Sequence, residues 1–201
     1  MKRDVTRLAN KLAKGLKPFS KKIQIAGSIR RKEKNPRDID IVLIPKNREK
    51  LVDFMKTKGK YLQGGEHEST WSIDNVKVEL YYANEKEWGA TLLAYSSKKG
   101  AGIGLRIVAR LKGFKLNNHG LFNRKTGRRI AGKTEKEIYH ALGRKWKKPE
   151  ERWDYIYSNL LIKSLYALID AIRLSFKPRE LYSIYALIAS AAGIPNNHFG
   201  F

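Results

Sequence analysis

The chain has 201 residues, of which 42 are Lys or Arg and 19 are Asp or Glu, and it contains no cysteine. The net charge of +23 indicates a polyanionic partner, and nucleic acid suits this charge better than a membrane surface does. The lack of cysteine excludes a disulfide scaffold, a cysteine-ligated metal site and a cysteine nucleophile, while an apolar fraction of 42% is sufficient for a folded core.

The charge is distributed unevenly along the chain. Residues 1–40 hold 13 basic and 4 acidic side chains, residues 91–152 hold 17 and 4, and residues 41–90 hold 8 of each. Two basic segments around a neutral one predict a single basic surface built from separated parts of the chain. The amino terminus lacks the apolar run of a secretory signal, so we expect a cytoplasmic protein, with a nuclear or viral setting left open.

The first half of the chain predicts alternating helices and strands. Apolar residues at helical spacing and β-branched runs give the order helix 3–16, strand 23–25, strand 39–44, helix 48–58 and a hairpin over 71–80. The hairpin turns at Asp74-Asn75. Lys77, Glu79 and Tyr81 lie on one face of its second strand because strand side chains alternate.

The second half predicts short elements and then an apolar tail. The order is helix 84–94, helix 102–113, two or three strands within 114–130, a helix from a capping box at Thr134 to Gly143, and helices 153–176 and 179–192. The uncharged run from Leu181 to Ile194 is shorter than the ~20 residues of a membrane span. We therefore expect no membrane partner.

Carboxylates gather where two predicted strands meet. Gly27-Ser28 follows one strand, and Asp38 and Asp40 open the next with a one-residue gap. Both carboxylates then project from the same face of the strand and repel each other unless cations lie between them. Glu79 is the well-placed third carboxylate on a neighbouring strand, so the three predict a site for two Mg²⁺ ions, with Mn²⁺ as an alternative.

The same region carries groups suited to a triphosphate. The Gly27-Ser28 turn offers backbone amides and a hydroxyl, and Arg31 offers a guanidinium fork. Gly-Ser, Arg-Arg and Asp-x-Asp at this spacing resemble the polymerase beta nucleotidyltransferase superfamily. Residues 92–122 (LLAYSSKKGAGIGLRIVARLKGFKLNNHGLF) and 127–152 are similar to the carboxy-terminal part of family X DNA polymerases, in which a helix after an aromatic-rich turn contacts the nascent base pair.

The resemblance covers about residues 20–152 and implies a role for each matching residue. Asp38 and Asp40 would bind both metals, and Glu79 would bind one and help to deprotonate the primer 3′-hydroxyl. The other implied contacts are Gly27, Ser28, Arg31 and Arg37 at the nucleotide phosphates, Tyr95 at the incoming sugar, Gly102 at the base, Lys77 at the primer end and Arg106 at the template strand. Lys98 and Lys99 stand beside the glycine-rich start of a helix, which could approach the DNA backbone.

Several residues depart from the family pattern. Glu79 is one methylene longer than the family's aspartate, and Ala94 replaces an aromatic residue that helps to exclude ribonucleotides. Pro36 lacks an amide that the family's phosphate loop offers, which Arg37 would replace. Only about 20 residues precede the Gly-Ser strand, so we expect a minimal form without the family's lyase and helix-hairpin-helix domains.

Together these observations predict an α/β (α+β) protein in three parts. These are a mixed-sheet nucleotidyltransferase palm over residues 1–93, an α+β subdomain over 94–152 that contacts the nascent base pair and template, and a helical tail over 153–201 with an open role that includes self-association. The expected activity is DNA-directed filling of short gaps in DNA repair, with gapped duplex and dNTP as substrates. Two alternatives remain: a template-independent terminal nucleotidyltransferase, and a basic DNA-binding protein with a degenerate site.

Overall fold

The computed structural model describes residues 4–152, without the side chains at positions 99 and 100. The helices are α1 (Val5–Leu16), α2 (Gly27–Arg30), α3 (Arg48–Lys56), α4 (Trp88–Ser96), α5 (Lys99–Leu111) and α6 (Glu135–Ala141). The strands are β1 (Ser20–Ile25), β2 (Ile39–Pro45), β3 (Lys60–Gly64), β4 (Glu68–Ile73), β5 (Val76–Tyr82), β6 (Phe114–Asn117), β7 (Gly120–Asn123) and β8 (Arg129–Ala131). The two tail helices predicted over 153–192, and self-association through them, lie outside the described residues.

Five strands form a mixed sheet in the order β1-β2-β5-β4-β3. β2 and β5 are parallel, and the other neighbours are antiparallel. A mixed sheet with helices is the α+β fold that the sequence predicts, so the predicted fold class is confirmed. The turn between β4 and β5 is also as predicted, because Asp74 and Asn75 both have positive φ, as a two-residue hairpin turn requires.

The two faces of this sheet are covered by different helices. On one face, α1 and α3 pack over a core that contains Ile41, Leu80 and Trp71, all fully buried. On the other face, α4 packs over Val42 and Tyr81. Residues that alternate along β2 and β5 therefore point to opposite layers, and Asp40 and Glu79 belong to the α4 side.

A second, smaller unit follows the sheet. β6, β7 and β8 form a three-stranded antiparallel sheet that packs with α4, α5 and α6 around Leu105, Leu121 and Ile138. α4 contributes Leu92 to the core of the large sheet and Leu93 to the core of the small one. The helix is thus shared between the two units, and the domain boundary predicted after residue 93 stays a prediction.

The element boundaries differ from the predicted ones where local hydrogen bonds decide them. α4 begins at Trp88, not at 84, because the side chain of Asn84 accepts from the amides of Lys86 and Glu87 and forms a turn there. β3 was not predicted, and all five of its residues are exposed, so it lacks the apolar alternation that marks a half-buried strand. α6 begins at the predicted capping box of Thr134 and Glu137.

Candidate active site

The site begins at the single-turn helix α2, which sits directly against Asp40. Gly27 opens this turn with φ of +56°, and a Cβ atom at that position would lie 1.8 Å from Asp40 Oδ2. Only glycine permits both this backbone conformation and this approach. The amide of Ala26 also donates to the carbonyl of Asp40 at 2.7 Å, so α2 and β2 are held together at the carboxylates.

The three predicted carboxylates lie on adjoining strands, two around the start of β2 and one in the middle of β5. Asp40 and Glu79 are register partners across the parallel pair β2 and β5, and Asp38 lies two residues before Asp40 on the same side of the chain. Glu79 forms an ion pair with Lys77 at 3.0 Å, and hydrogen bonding to Glu79 raises the pKa of Lys77. Strand alternation thus brings Lys77 and Glu79 together as predicted.

Asp40 is a half-buried carboxylate with a raised pKa. Burial raises its pKa from an ordinary value of 3.8 to about 6, and the neighbouring charges of Asp38 and Glu79 add to this. A hydrogen bond from the Tyr81 hydroxyl to Asp40 Oδ1, at 3.1 Å, and the charge of Arg31 act in the opposite direction. Tyr81 and Arg31 therefore do not fully offset the cost of placing a negative charge on Asp40, as expected for a group that binds a cation.

The donor set suits a hard divalent cation, although the side chains are turned to other partners. Carboxylate oxygens are the ligands that Mg²⁺ prefers, and Asp38, Asp40 and Glu79 supply them within two neighbouring strands. Within residues 4–152 as arranged, no three His, Asp or Glu side chains are close enough to hold an ion. Glu79 is held by Lys77 and Asp40 by Tyr81, so rotation of these side chains must accompany metal binding.

The predicted phosphate ligands lie on α2 and on the loop after it. Ser28 Oγ is buried and has no hydrogen-bond partner among the described residues, which leaves a hydroxyl next to Gly27 available to an acceptor. The Nε atom of Arg31 lies 3.0 Å from Glu33 Oε1, and Arg37 is exposed. The structure brings Ser28 and Arg31 beside Asp40 and leaves Arg37 at the surface.

Tyr95 joins the site from α4. Its ring stacks on the ring of Tyr81 with a centroid distance of 3.4 Å and an interplanar angle of 15°. Burial raises the pKa of the Tyr95 hydroxyl, and the charges of Glu68, Glu79 and Asp40 add to this while Arg106 opposes it. Burial also raises the pKa of the Tyr81 hydroxyl, so both tyrosines are neutral at physiological pH. The stacked pair connects α4 to Asp40 through the Tyr81 hydroxyl.

The remaining predicted contacts surround α5. Gly102 and Arg106 line a small pocket between α4, α5 and β6, together with Ala94, Leu105 and Asn117. Lys98 Nζ lies 3.7 Å from Glu33 Oε1, which connects the start of α5 to the loop after α2. Lys99 is the first residue of α5. The predicted roles of all these residues in DNA and nucleotide binding stay predictions.

One feature that the sequence did not reveal is a buried ionic cluster at the back of α2. Arg30 donates to both oxygens of Glu135 at 2.8 and 2.9 Å and to Ser96 Oγ at 2.8 Å, and Arg152 donates to Glu135 at 2.9 Å. Burial acts to raise the pKa of Glu135, but the hydrogen bonds from Arg30 and Arg152 outweigh it and hold the pKa below its ordinary value. The second unit thus anchors the turn that carries Ser28 and Arg31.

Comparisons with known proteins show what the chain is similar to. A family model described as DNA polymerase beta thumb matches residues 92–153, the stretch that contains α5, α6 and the three-stranded sheet. "Repair DNA polymerase X" of African swine fever virus, isolate Pig/Kenya/KEN-50/1950, is 27% identical over 148 residues, which cover 68% of this chain and 84% of the relative. The protein of the same name from strain Badajoz 1971 Vero-adapted is 27% identical over 147 residues, with the same coverage.

Together these matches support the resemblance of the chain to family X DNA polymerases. The same matches support the predicted enzyme class, a DNA polymerase nucleotidyltransferase. Family X polymerases generally use divalent metal ions, which agrees with the chemistry of the carboxylate set. No helix within residues 4–152 has the length and apolar character needed to cross a membrane.

Proposed function

We propose that this protein is a family X polymerase that fills short gaps in damaged DNA by template-directed nucleotidyl transfer at Asp38, Asp40 and Glu79. The observation that carries the proposal is the parallel register of Asp40 and Glu79 beside the Gly27-Ser28 turn. In this reaction, the primer 3′-hydroxyl attacks the α-phosphate of a dNTP in line and pyrophosphate leaves. The similarity to proteins named repair polymerases supports gapped DNA as the substrate.

The carboxylates would hold two Mg²⁺ ions, with Mn²⁺ as a substitute. When bound, these ions would lower the pKa of the primer 3′-hydroxyl and neutralise negative charge on the phosphates. The raised pKa of Asp40 favours such binding, because a cation removes the repulsion that burial and Asp38 impose on this carboxylate. Glu79 is released for metal binding when Lys77 turns towards a phosphate of the primer.

The groups on α2 would bind the triphosphate. Ser28 Oγ has no internal partner among the described residues and would donate to a phosphate oxygen. Arg31 would exchange its contact with Glu33 for a stronger one with phosphate, and exposed Arg37 would close over the same groups. Gly27 lets the backbone approach Asp40 closely, which would place a bound phosphate next to the carboxylates.

The second unit would bind the base pair and the duplex. Tyr95, stacked on Tyr81, would pack against the incoming sugar, while Gly102 faces the base and Arg106 the template strand. Lys98 and Lys99 would contact the DNA backbone. Ala94 leaves space beside Gly102 and Arg106, so we expect weaker discrimination against ribonucleotides than an aromatic residue at this position would give.

Primer extension on a one-nucleotide-gapped duplex tests this proposal. Each dNTP is supplied separately with Mg²⁺ or Mn²⁺, beside a single-stranded primer of the same sequence. We expect addition of the complementary nucleotide, with the gapped duplex preferred over the single strand. Addition of every dNTP to either substrate would instead indicate a terminal transferase, and DNA binding without addition would indicate a degenerate site.

A further inference from the structure

The outward face of α1 carries positive charge only. Arg7, Lys11 and Lys14 are exposed and follow one another at spacings of four and three residues, so they form a single row on the helix. None of them forms an ion pair with another described residue. The one acidic residue at this helix, Asp4, is its N-cap and accepts from the amide of Arg7. We name these three side chains the α1 row.

The neighbouring helix on the same face of the sheet has a different surface. α3 exposes Lys50 and Lys56 together with Glu49 and Asp53, and Lys56 pairs with Asp53 at 3.1 Å. Mixed signs are the usual state of a solvated helix face. The α1 row is therefore a local feature of one helix and not a general property of this side of the molecule.

The α1 row lies on the opposite side of the sheet from the candidate active site. α1 packs on the face formed by Ile41 and Leu80, whereas Asp40 and Glu79 project from the other face. The sheet and a helix of about 10–12 Å diameter separate the row from the carboxylates. The prediction of one basic surface is therefore wrong for α1, because strand alternation and the apolar face of the helix direct it to the other layer.

We propose that the α1 row binds the phosphate backbone of a second DNA duplex segment, apart from the one in the active site. A row of cations without acidic neighbours complements the regular negative charge of a duplex. A lipid surface is the poorer partner, because helices that lie on membranes turn an apolar face to the lipid. The apolar face of α1, with Leu12 and Leu16, is buried in the core. The choice of DNA as the polyanion that binds the α1 row rests on the proposed function.

The test compares the triple variant Arg7→Gln, Lys11→Gln and Lys14→Gln with a matched variant Lys50→Gln, Lys56→Gln and Lys58→Gln. Both lose three positive charges on the same side of the sheet, and glutamine keeps the helix propensity of lysine. Energy transfer between two short duplexes with different labels measures their joining by one protein, and fluorescence titration gives the number of duplexes bound per chain. Circular dichroism confirms that both variants are folded.

We expect two duplexes per chain for the wild type and the α3 variant, and one for the α1 variant, with energy transfer at background level. In the wild type, the affinity for the second duplex should fall as salt rises, with a slope of log affinity against log salt of roughly −0.9 for each phosphate contact. The single-turnover rate of gap filling on a short substrate should be the same in all three proteins. That rate reports the proposed function separately, so failure of one proposal is distinguishable from failure of the other.

Three results would overturn the proposal. The first is a wild type that binds a single duplex per chain. The second is an α1 variant that still joins two duplexes as the wild type does. The third is an α3 variant that loses the second duplex to the same extent as the α1 variant. Vesicles containing phosphatidylserine form a further arm. Binding of these vesicles through the α1 row, without binding of a second duplex, would assign the row to a lipid surface and also overturn the proposal.

Discussion

The two faces of the five-stranded sheet are built from the same strands but have opposite effects on the stability of the fold. Ile41 and Leu80 on the α1 side are fully buried among apolar neighbours. Asp40 and Glu79, next to them in sequence, carry repelling charges, and Asp40 has a raised pKa. One face of each strand thus stabilises the fold, while the charged site on the other face destabilises it. Substitutions at adjacent positions should therefore change the free energy of unfolding in opposite directions.

The largest loss of stability should come from the cluster that anchors the active-site face. Glu135→Gln leaves the buried guanidinium groups of Arg30 and Arg152 without their carboxylate, which costs about 3–5 kcal/mol. Urea denaturation measures this loss. The control is Glu150→Gln, which breaks an ion pair with Lys32, a side chain that is 75% exposed, and should cost far less stability because solvent screens exposed charges. Equal effects of the two substitutions would contradict the account.

A substitution on the apolar face should also destabilise the fold strongly. Ile41→Ala removes buried methylene and methyl groups and should lower the free energy of unfolding by about 2–5 kcal/mol. Leu62→Ala serves as the control, because Leu62 is 51% exposed on β3, and its effect should be within about 0.5 kcal/mol. If Ile41→Ala were neutral, the apolar layer under α1 and α3 would not be the main core.

The adjacent substitution Asp40→Asn should raise stability in the absence of divalent metal. A carboxyl pKa that is higher in the folded state, about 6 against 3.8, stabilises the fold at low pH, and this contribution is lost as pH rises through 6. The variant should exceed the wild type by about 1–3 kcal/mol at pH 8 and match it below pH 4. Denaturation with a chelator across this pH range, with Asp53→Asn as control, measures the difference. A difference that does not vary with pH would refute the assigned cause.

The smallest effect should come from Lys77→Gln. Its ion pair with Glu79 joins side chains that are 53% and 22% exposed, so the loss should be below about 1 kcal/mol. High salt should reduce it further, because exposed charges are screened. Denaturation at two salt concentrations measures the effect. A loss above about 2 kcal/mol would mean that Lys77 supports the carboxylates structurally as well as binding the primer.

The sequence predicted the features that depend on short spacing. Strand alternation put Glu79 beside Lys77, and the positions of Asp74 and Thr134 marked a hairpin turn and a helix start that the structure contains. The contact between Arg30 and Glu135 was not predictable, because 105 residues separate its partners and neither has a distinctive neighbourhood. The bond from Tyr81 to Asp40 was also missed, since alternation gives the face of a side chain but not its partner.

The most direct test is single-nucleotide insertion into a gapped duplex by wild type and Asp40→Asn under identical conditions. We expect the wild type to insert the complementary dNTP in a reaction that requires Mg²⁺ or Mn²⁺. The variant should be folded and more stable than the wild type without metal, and should insert no nucleotide. Insertion by Asp40→Asn at a rate comparable to that of the wild type would contradict the assignment of nucleotidyl transfer to this face of the sheet.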